Sequence, residues 1–492
     1  MIDIRHRQFS VLQPFFNYKT AIILVQLALA LVIGSIATPK LLILLVLAFG
    51  GVAAFFVLHR HPEWGLLAIF LVTFLVPFTI GTGTNVSLNA TLLFVAFLFA
   101  VWLVRMLVYQ KDVRLAASRL NIPALSFILA STISLVFGNT PLILQETQKA
   151  SLPAQLGGWM ILVLSIGMLL LVANSLRSTR WLKAFVWSFL AFGGIYTFFC
   201  IRYGISGAEQ LFFQAGISSS VFWIFLAVLG FGQLLFNKEL SLKWRLLAAG
   251  IAVTGLVFGW VRGKGWLSGW LPPLIGVYIL VWLRSWKLGL LVTVIGAVLL
   301  IPVYPELYAK VYTPDQEWST YTRWLTWSMM YQIVKASPIF GVGPANPYHY
   351  SILFSYGGYY FKLNSHNNYW DIATQTGLVG LGLFTWIVIE LAVLGLRLRK
   401  RLSDGFSQSY VNSVLAGFAA MLASGMMADW FLPYLYNIGM PGFRSSILAW
   451  LFLGGLLSMD VIQRNANKPL GHDIEQTLEN QTGYQYFDRQ HQ

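Results

Sequence analysis

Long apolar runs separated by short polar loops fill most of this chain. A membrane-spanning helix needs about 20 consecutive apolar residues, within a range of roughly 17 to 25. Runs of this length predict about fourteen spans, with about 12–14 as the range. Their approximate bounds are 20–38, 41–58, 64–80, 89–109, 121–138, 156–174, 181–201, 216–236, 245–260, 267–284, 287–303, 373–396, 411–432 and 442–462. The pattern therefore predicts an all-α polytopic membrane protein.

The spacing of the runs divides the chain into four regions. Residues 1–303 form a predicted N-terminal transmembrane bundle of about eleven helices, and residues 373–462 form a C-terminal group of about three. Between them lies a polar, turn-rich segment, 304–372. The polar tail, 463–492, is predicted to be disordered. The first apolar run is as long as a span and lacks a small-residue cleavage site, so no cleavable signal peptide is expected.

Basic residues cluster in alternate loops. The clusters are Arg5, Arg7 and Lys19; Arg105, Lys111, Arg114 and Arg119; Arg177, Arg180 and Lys183; Lys238, Lys243 and Arg245; Arg284 and Lys287; and Arg397, Arg399, Lys400 and Arg401. All of them fall on one side of the predicted spans, which the positive-inside rule assigns to the cytoplasm. Both termini are thus predicted to be cytoplasmic. The segment 304–372 and the loop VRGKG, residues 261–265, are predicted to lie outside.

Composition supports the membrane class and argues against nucleic-acid binding and against a site built from cysteines. The chain is 57% hydrophobic and only 10% charged, whereas soluble domains are about 25% charged. The net charge of +15 would suit nucleic acid, but the basic residues are spread over short loops, so no nucleic-acid partner is predicted. The single Cys200 lies in an apolar run, which excludes an intrachain disulfide and a thiolate metal site.

The outer segment contains a helix followed by a glycine-rich turn. Apolar and polar residues alternate at helical spacing over 320–336, which predicts an amphipathic helix at the membrane surface. One face of this helix is predicted to carry Trp324, Trp327, Met330 and Tyr331. The helix should end at Ser337 because Pro338 restricts the residue before it. Gly341 and Gly343 then permit tight backbone turns.

Three outer residues are candidates for chemistry. Arg262 follows the ninth span, Arg323 lies on the amphipathic helix, and His366 precedes the twelfth span. Arginine offers a fixed fork of donors for phosphate oxygens, and histidine exchanges protons near neutrality. Together they suit chemistry on a diphosphate-linked lipid. An interfacial arginine also contacts headgroups and a loop histidine is often only solvated, so these residues alone leave an enzyme and a transporter both open.

The acidic residues do not indicate a hydrolase or a metal site. The carboxylates of the outer segment are Glu306, Asp315, Glu317 and Asp371. They show no close pair of the kind that glycoside hydrolases use, and no D-x-D-like site, so neither a metal nor a cofactor is predicted. Asp429 and Glu390 lie near opposite ends of predicted spans, where an ionisable residue is either functional or solvated at the interface.

Two motifs of the outer segment resemble one protein family. Between Arg323 and Pro344 the pattern R-x-x-x-W leads into PIFGVGP, and the run SHNNYWDIATQTGLVGL begins at Ser365. These runs resemble the O-antigen ligase/polymerase family of bacterial membrane glycosyltransferases. There an Arg-and-Trp helix leads into a P-x-x-G-x-G turn, and a His-Asn pair precedes a T/E-x-G-x-x-G-L start of the next span. The specific resemblance covers residues 320–385.

The resemblance implies a GT-C-like inverting glycosyltransferase of the bacterial inner membrane that requires no metal. Its donor would be a glycan on undecaprenyl diphosphate, transferred at the outer face in O-antigen or exopolysaccharide biosynthesis. Ligases of the family pass the glycan to lipid A–core, and polymerases pass it to another lipid-linked repeat unit. Polysaccharide-assembly proteins are candidate partners beside the lipid bilayer.

The family's functional residues carry over onto a few positions here. The resemblance places its essential histidine on His366, its loop arginine on Arg323 and a second arginine on Arg262, where VRGKG matches only the Arg-Gly core. The arginines would stabilise the diphosphate leaving group, and His366 would activate the acceptor hydroxyl or hold it in place. Lys264 and His349 are candidates for diphosphate or sugar contact, Asn367 for orienting His366, and Tyr348, Tyr369 and Trp370 for stacking on sugar rings.

Two other classes of function compete with the transferase. One is a transporter, either a flippase for lipid-linked oligosaccharides or an anion carrier such as a bicarbonate transporter, and the other is a scaffold for polysaccharide export. Transporters favour midplane charges, broken helices and internal repeats. The sequence shows few midplane charges and no internal repeat.

Overall fold

The computed structural model describes residues 39–81, 87–140, 149–211, 219–262, 266–311, 314–354 and 360–466. The chain divides into two compact units, Met1–His61 and Pro62–Gln492. The described part of the first unit is one helix, α1 (Pro39–Arg60), followed by His61. All contacts discussed below lie within the second unit.

The second unit is built almost entirely from helices. In chain order its elements are α2 (Pro62–Leu75), β1 (Thr79–Gly81), β2 (Ser87–Asn89), α3 (Ala90–Val104, continued by a π-helix over Arg105–Gln110), α4 (Asn121–Phe137), α5 (Leu152–Ser175), α6 (Thr179–Leu211), α7 (Ser220–Phe236), α8 (Leu242–Arg262), α9 (Leu267–Arg284), α10 (Trp286–Val311), α11 (Pro314–Ala336), the short α12 (Pro347–Tyr350), α13 (Asn368–Arg401), α14 (Phe406–Ser424) and α15 (Gly439–Ala466). The two strands form a small antiparallel hairpin in which Ile80 pairs with Leu88.

The predicted fold class is confirmed. Among the described residues, seven helices are long and apolar enough to cross a membrane: α3 with its π-helical extension, α5, α6, α8, α9, α13 and α15. Shorter apolar helices include α2, α4 and α7. Each predicted span from 41–58 onward overlaps a helix, while the first, 20–38, lies outside the described residues. The protein is an all-α multi-pass membrane protein.

The interior of the bundle is formed around two helices. α15 and α5 are the most buried of the long apolar helices, and they pack against each other. α7 packs against α8, α9 and α14, and α13 packs against α4. By contrast α10 exposes a continuous apolar surface that includes Leu299 and Ile301, with Ile301 72% accessible. Such a surface is stable in contact with lipid chains and costly in water.

Several helix boundaries differ from those predicted, and local hydrogen bonds explain two of them. α2 ends at Leu75 rather than near residue 80, because Pro77 follows and the buried Arg444 donates to the free carbonyls of Thr73 (3.2 Å) and Val76 (3.0 Å). α13 begins at Asn368 rather than at residue 373, because the Asn367 side chain caps its first turn.

Two further helices extend beyond their predicted spans. α10 continues to Val311, past residue 303, and α15 continues to Ala466, past residue 462 and into the predicted tail. The rest of that tail, 467–492, lies outside the described residues.

The amphipathic helix is present as α11 and ends at Ala336, directly before Ser337 and Pro338, as predicted. Its predicted face is partly wrong. Met330 is fully buried, whereas Trp324 is 67% and Tyr331 51% accessible. Met330 packs in a cluster with Ile333, Val342 and Tyr350, because α11 rests on α12 and α13. The apolar stripe that holds α11 in place is therefore separate from its exposed aromatic stripe.

Candidate functional site

The PIFGVGP turn, residues 338–344, is bound to a break in α13. Gly377 has φ +71° and interrupts the helix, which leaves carbonyls before it and N–H groups after it without helical partners. The turn supplies those partners through backbone hydrogen bonds. They run from Val342 N to Thr374 O (2.9 Å), from Gly343 N to Gln375 O (3.1 Å), from Leu378 N to Pro338 O (2.8 Å) and from Val379 N to Ile339 O (3.3 Å). The turn and the first part of α13 therefore form one backbone unit.

Two glycines make this contact sterically feasible. Gly341 and Gly377 both have positive φ, +70° and +71°, where a Cβ is strained. A Cβ at Gly377 would lie 2.1 Å from the carbonyl oxygen of Ile339, and one at Gly341 would lie 2.5 Å from that of Thr374. The glycines of the two motifs thus allow the turn and the broken helix to approach each other.

We expect Gly377→Ala to destabilise the protein by about 1–3 kcal/mol from backbone strain alone, with a further loss from the collision with Ile339. The measurement is thermal unfolding of the purified protein in detergent. Gly382→Ala in the same helix is the matched control, because a Cβ there meets nothing within 4 Å and alanine is the better helix former. Equal unfolding temperatures for the two variants would contradict this account of the break.

The turn brings α11 beside the loop that carries His366. The indole Nε1 of Trp327 donates to the backbone oxygen of Ser365 at 2.9 Å, so the two segments are joined next to the candidate pair. Arg323 is close enough for its positive charge to lower the pKa of His366. Its guanidinium, half-buried, has no hydrogen bond or ion pair with any residue that the structure describes. A cation with no bonded partner in the described ranges therefore lies next to a histidine at this end of α13.

The His366 backbone adopts an uncommon conformation that the surrounding bonds maintain. Its φ is +49°, which is rare for a residue other than glycine and occurs at functional sites. The neighbouring Ser365 hydroxyl accepts from Asn367 N at 3.0 Å and donates to the buried carboxylate of Asp371. These bonds fix the loop on both sides of His366 and leave its ring exposed.

A segment that the sequence analysis assigned to a membrane span completes the site. The predicted span 411–432 is wrong at its end, because α14 stops at Ser424 and residues 425–438 form a compact loop. Within this loop Asn437 Nδ2 lies 3.1 Å from His366 Nδ1 and also donates to a carboxylate oxygen of Asp429. The sequence held one signal for this loop: Gly425, Pro433 and Gly439 interrupt an otherwise apolar stretch.

Asp429 is an organising residue of that loop. It is fully buried, not solvated at an interface, and its Oδ2 accepts from the backbone N–H of Tyr434 at 2.7 Å. Burial raises the pKa of Asp429, while the hydrogen bonds from Tyr434 and Asn437 oppose that rise. Its charge also couples to that of Asp371. The structure thus brings together two carboxylates that are far apart in the sequence.

The pKa of His366 is lowered from its ordinary value of 6.5. Desolvation of the imidazole by the surrounding protein is the larger cause and the charge of Arg323 is the second. Both effects favour the neutral form of the ring.

The two asparagines that follow His366 have structural partners. Asn367 Oδ1 accepts from the backbone N–H groups of Tyr369 (2.9 Å) and Trp370 (3.4 Å), which caps α13. Asn368 binds the 425–438 loop: its side chain donates to Leu432 O at 2.7 Å and accepts from Phe431 N at 3.1 Å. The residue in contact with His366 is Asn437, a role that the sequence analysis had given to Asn367.

The aromatic residues proposed to stack on sugars divide into two groups. The Tyr369 hydroxyl donates to Leu422 O at 2.8 Å, and Trp370 packs against the cluster around Met330, so both anchor α13. Tyr348 is half-buried and stacks on Tyr436 at 5.0 Å between ring centroids. Because Tyr436 belongs to the 425–438 loop, this stacking joins α12 to the loop of Asn437.

His349 lies beside this aromatic pair, 5.2 Å from the Tyr436 ring. Both ring nitrogens are buried and have no hydrogen-bond partner among the described residues. Burial, and secondarily the charge of Lys362, lowers the pKa of His349. In this conformation it is a neutral, enclosed side chain.

The remaining candidates, Arg262 and Lys264, lie at the gap between the described residues 219–262 and 266–311. α8 ends at Arg262, whose side chain is outside the described part, and Lys264 is not described. The next described residue, Trp266, contacts Trp430 at 5.6 Å between ring centroids. Because Trp430 follows Asp429, Trp266 at the start of α9 lies beside the 425–438 loop.

Comparison with known protein families agrees with the motifs. Residues 245–385 match the family described as O-antigen ligase, which confirms the family resemblance. The matched region runs from α8 into α13 and includes Arg262, Arg323 and His366, whereas Asp429 and Asn437 lie beyond it. No curated protein gives a significant match to the chain.

Proposed function

From the O-antigen ligase domain that the chain contains, we propose that the protein transfers a glycan from undecaprenyl diphosphate to a saccharide or lipid acceptor. The reaction takes place at the outer face of the bacterial inner membrane, where the charge pattern places residues 304–372. The observation that carries the proposal is Arg323 beside His366, which is held by the 425–438 loop, with no counterion for Arg323 among the described residues. A fixed cation in this position suits an anionic substrate.

The reaction proposed is a direct displacement with inversion. The acceptor hydroxyl oxygen attacks the anomeric carbon while the bond from that carbon to the diphosphate oxygen breaks, and the electron pair leaves with the diphosphate. The hydroxyl proton passes to the departing diphosphate or to solvent. Arg323, joined by Arg262 from the end of α8, stabilises the charge that develops on the leaving group. The low hydration of this partly buried guanidinium strengthens that interaction.

The contact from Asn437 favours a donor role for His366. The carboxylate of Asp429 requires a donor, so the Asn437 amide turns its NH₂ group toward both Asp429 and His366. His366 Nδ1 then accepts a hydrogen bond, and the proton of the neutral ring resides on Nε2. We propose that Nε2–H donates to a diphosphate or sugar oxygen and holds the substrate in place. This assignment supports positioning over general-base catalysis.

If the contact from Asn437 to the neutral ring positions His366, Asn437→Ala should lower the rate of transfer and remove the acid limb of the pH–rate profile. Protonation turns Nδ1 from an acceptor into a donor and breaks that contact, so native transfer falls as the pH drops through the pKa of His366, which is lowered in the native protein. Without Asn437 the contact is absent at every pH, so protonation of the ring has nothing further to break. The measurement is glycan transfer by purified protein in proteoliposomes across pH 5–8.

Two variants separate this effect from loss of loop structure. Asn364→Ala removes a different bond to the same loop, from Asn364 Nδ2 to Tyr436 O (3.0 Å), and should not move the limb. In an Asp429→Asn background the carboxylate of Asp429 no longer titrates, and the effect of Asn437→Ala on the acid limb should persist. An unchanged acid limb in Asn437→Ala would overturn the donor assignment.

The function itself is tested by the surface glycan of cells. A strain that lacks the protein is complemented with the native chain or with alanine at Arg262, Arg323 or His366, and the glycan is resolved by gel. Single repeats capped on lipid A would indicate a lost polymerase, and full-length chains left on the carrier lipid a lost ligase. Unchanged glycan length and attachment in all three variants, at normal protein levels, would overturn the transferase proposal.

The same proteoliposomes test whether the reaction needs a metal. With EDTA in excess, transfer should proceed at the untreated rate, because two arginines supply the positive charge that a divalent cation would otherwise bring. Loss of transfer that magnesium or manganese restores would contradict this part of the proposal.

Transport of a lipid-linked oligosaccharide or an anion is the second candidate, and the break in α13 at Gly377 favours it, since transporters bind substrates at broken helices. Here, however, the PIFGVGP turn takes up backbone groups that the break frees. Movement of the lipid-linked glycan or of bicarbonate across liposomes in the absence of any transfer would support this candidate.

A further inference from the structure

A polar cleft lies at the end of α13 opposite to His366. Its volume is about 500 Å³, and its walls come from residues 117–120, from the last turns of α13 and from the end of α15. Six charged side chains line it: Arg119, Arg397, Arg401, Arg464, Glu390 and Asp460. The α13 residues that line it begin at Glu390, 22 residues after the start of the helix at Asn368, which corresponds to roughly 30 Å of helix at 1.5 Å per residue.

Most of the positive charge in this cleft is unpaired. Asp460 binds Arg464 at 2.7 Å, and Arg464 also donates to Ala117 O at 2.6 Å. Arg119, Arg397 and Arg401 have no hydrogen bond or ion pair with any residue in the described ranges.

The neighbouring arginine on the same helix shows the contrast. Arg399 donates to Asn412 Oδ1 at 3.0 Å and to Leu283 O at 2.6 Å, so it joins α13 to α14 and α9. Arg397 and Arg401, on the face of α13 that lines the cleft, have no such structural function. Of the two acids, Asp460 is already paired and Glu390 lies 3.4 Å from the indole N–H of Trp386. Three guanidinium groups are therefore left facing one cleft.

Apolar surface adjoins these charges. Ile389 and Leu396 on α13, next in sequence to the lining residues Glu390 and Arg397, are 54% and 47% accessible. In a membrane protein such side chains face acyl chains. A ligand that combines an anionic headgroup with apolar chains fits both parts of the surface.

We infer that this cleft binds the phosphate of an anionic phospholipid. Arginine forks match phosphate oxygens in a bidentate manner, and basic pockets between membrane helices at the bilayer surface bind acidic headgroups. The lipid phosphate would lie among Arg119, Arg397 and Arg401 and so connect α13 to the 117–120 segment. A soluble phosphate would use the same guanidinium groups but would gain nothing from the apolar flank.

The inference is tested by lipid binding to the purified full-length protein in a neutral detergent. Phosphatidylglycerol, phosphatidylcholine and inorganic phosphate are titrated separately, and binding is followed by native mass spectrometry and by the thermal unfolding temperature. We expect phosphatidylglycerol to bind and to raise the unfolding temperature, while the other two at equal concentration do neither.

Variants locate the site. Arg397→Gln/Arg401→Gln should weaken phosphatidylglycerol binding at least tenfold, and so, to a smaller extent, should Arg119→Gln, which lies outside the helices. The control is Lys243→Gln/Lys400→Gln, which removes the same charge from exposed residues that do not line the cleft, and it should bind as the native protein does. Unfolding temperatures without lipid show whether each variant is folded.

Two results would overturn the inference. One is phosphatidylglycerol binding by folded Arg397→Gln/Arg401→Gln within twofold of the native value. The other is displacement of the lipid by millimolar inorganic phosphate, which would assign the cleft to a soluble anion.

Discussion

Alanine at position 366 is expected to reduce the rate of glycan transfer by roughly 100- to 1,000-fold, the loss that follows removal of one preorganised donor from a reacting centre. His366 lies where α11, the start of α13 and the 425–438 loop meet, and its Nδ1 is already engaged by Asn437. The variant removes the Nε2–H that points away from this contact. The assay is transfer of a lipid-linked glycan to its acceptor in proteoliposomes.

Glutamine at the same position distinguishes the two roles proposed for the histidine. The glutamine amide can place an N–H donor near the position of Nε2, but it does not accept a proton at neutral pH. If His366 positions the substrate, His366→Gln should retain more activity than His366→Ala. If His366 is the general base, both variants should be equally inactive. His61→Ala, at an exposed position between α1 and α2, is the control and should have native activity.

Arg323→Ala is expected to cost a similar factor, roughly 100- to 1,000-fold, because it removes a fixed charge from a partly dehydrated position. Arg323→Lys should recover part of the rate, since it restores the charge without the planar fork that binds two phosphate oxygens. Lys335→Ala is the matched control on the same helix, where the side chain is exposed near the C-terminal end.

Arg323→Ala should also change the dependence of the transfer rate on pH. Arg323 lowers the pKa of His366, so its removal should raise that pKa and move the acid limb of the residual activity to higher pH. Lys335→Ala should leave the limb in place. Native activity in Arg323→Ala would contradict the proposed contact with the diphosphate, and a reduced rate with an unmoved limb would show that the two side chains do not interact.

The sequence predicted the local structure of some segments of the site, but not the contacts between them. PIFGVGP was recognisable as a turn because proline restricts, and glycine widens, the range of backbone conformations at each position. Its binding to Gly377 was not predictable, because the bonds that satisfy the break come from Pro338 and Ile339, which are distant from it in the sequence. In the same way Asn367 and Asn368 look alike in the sequence, yet one caps α13 and the other binds Phe431 and Leu432.

By itself, the sequence determined the membrane class, the positions of most helices and the family resemblance, because a span must be apolar over a minimum length and because the motifs around Arg323 and His366 are contiguous. Only the tertiary structure decided that α14 ends at Ser424, since a short apolar stretch has the same composition in a span and in a packed loop. That decision brings Asn437 and Asp429 to His366. The hydrophobicity of a segment predicts that it is buried away from water. Which polar side chains then come into contact depends on how distant segments of the chain pack together.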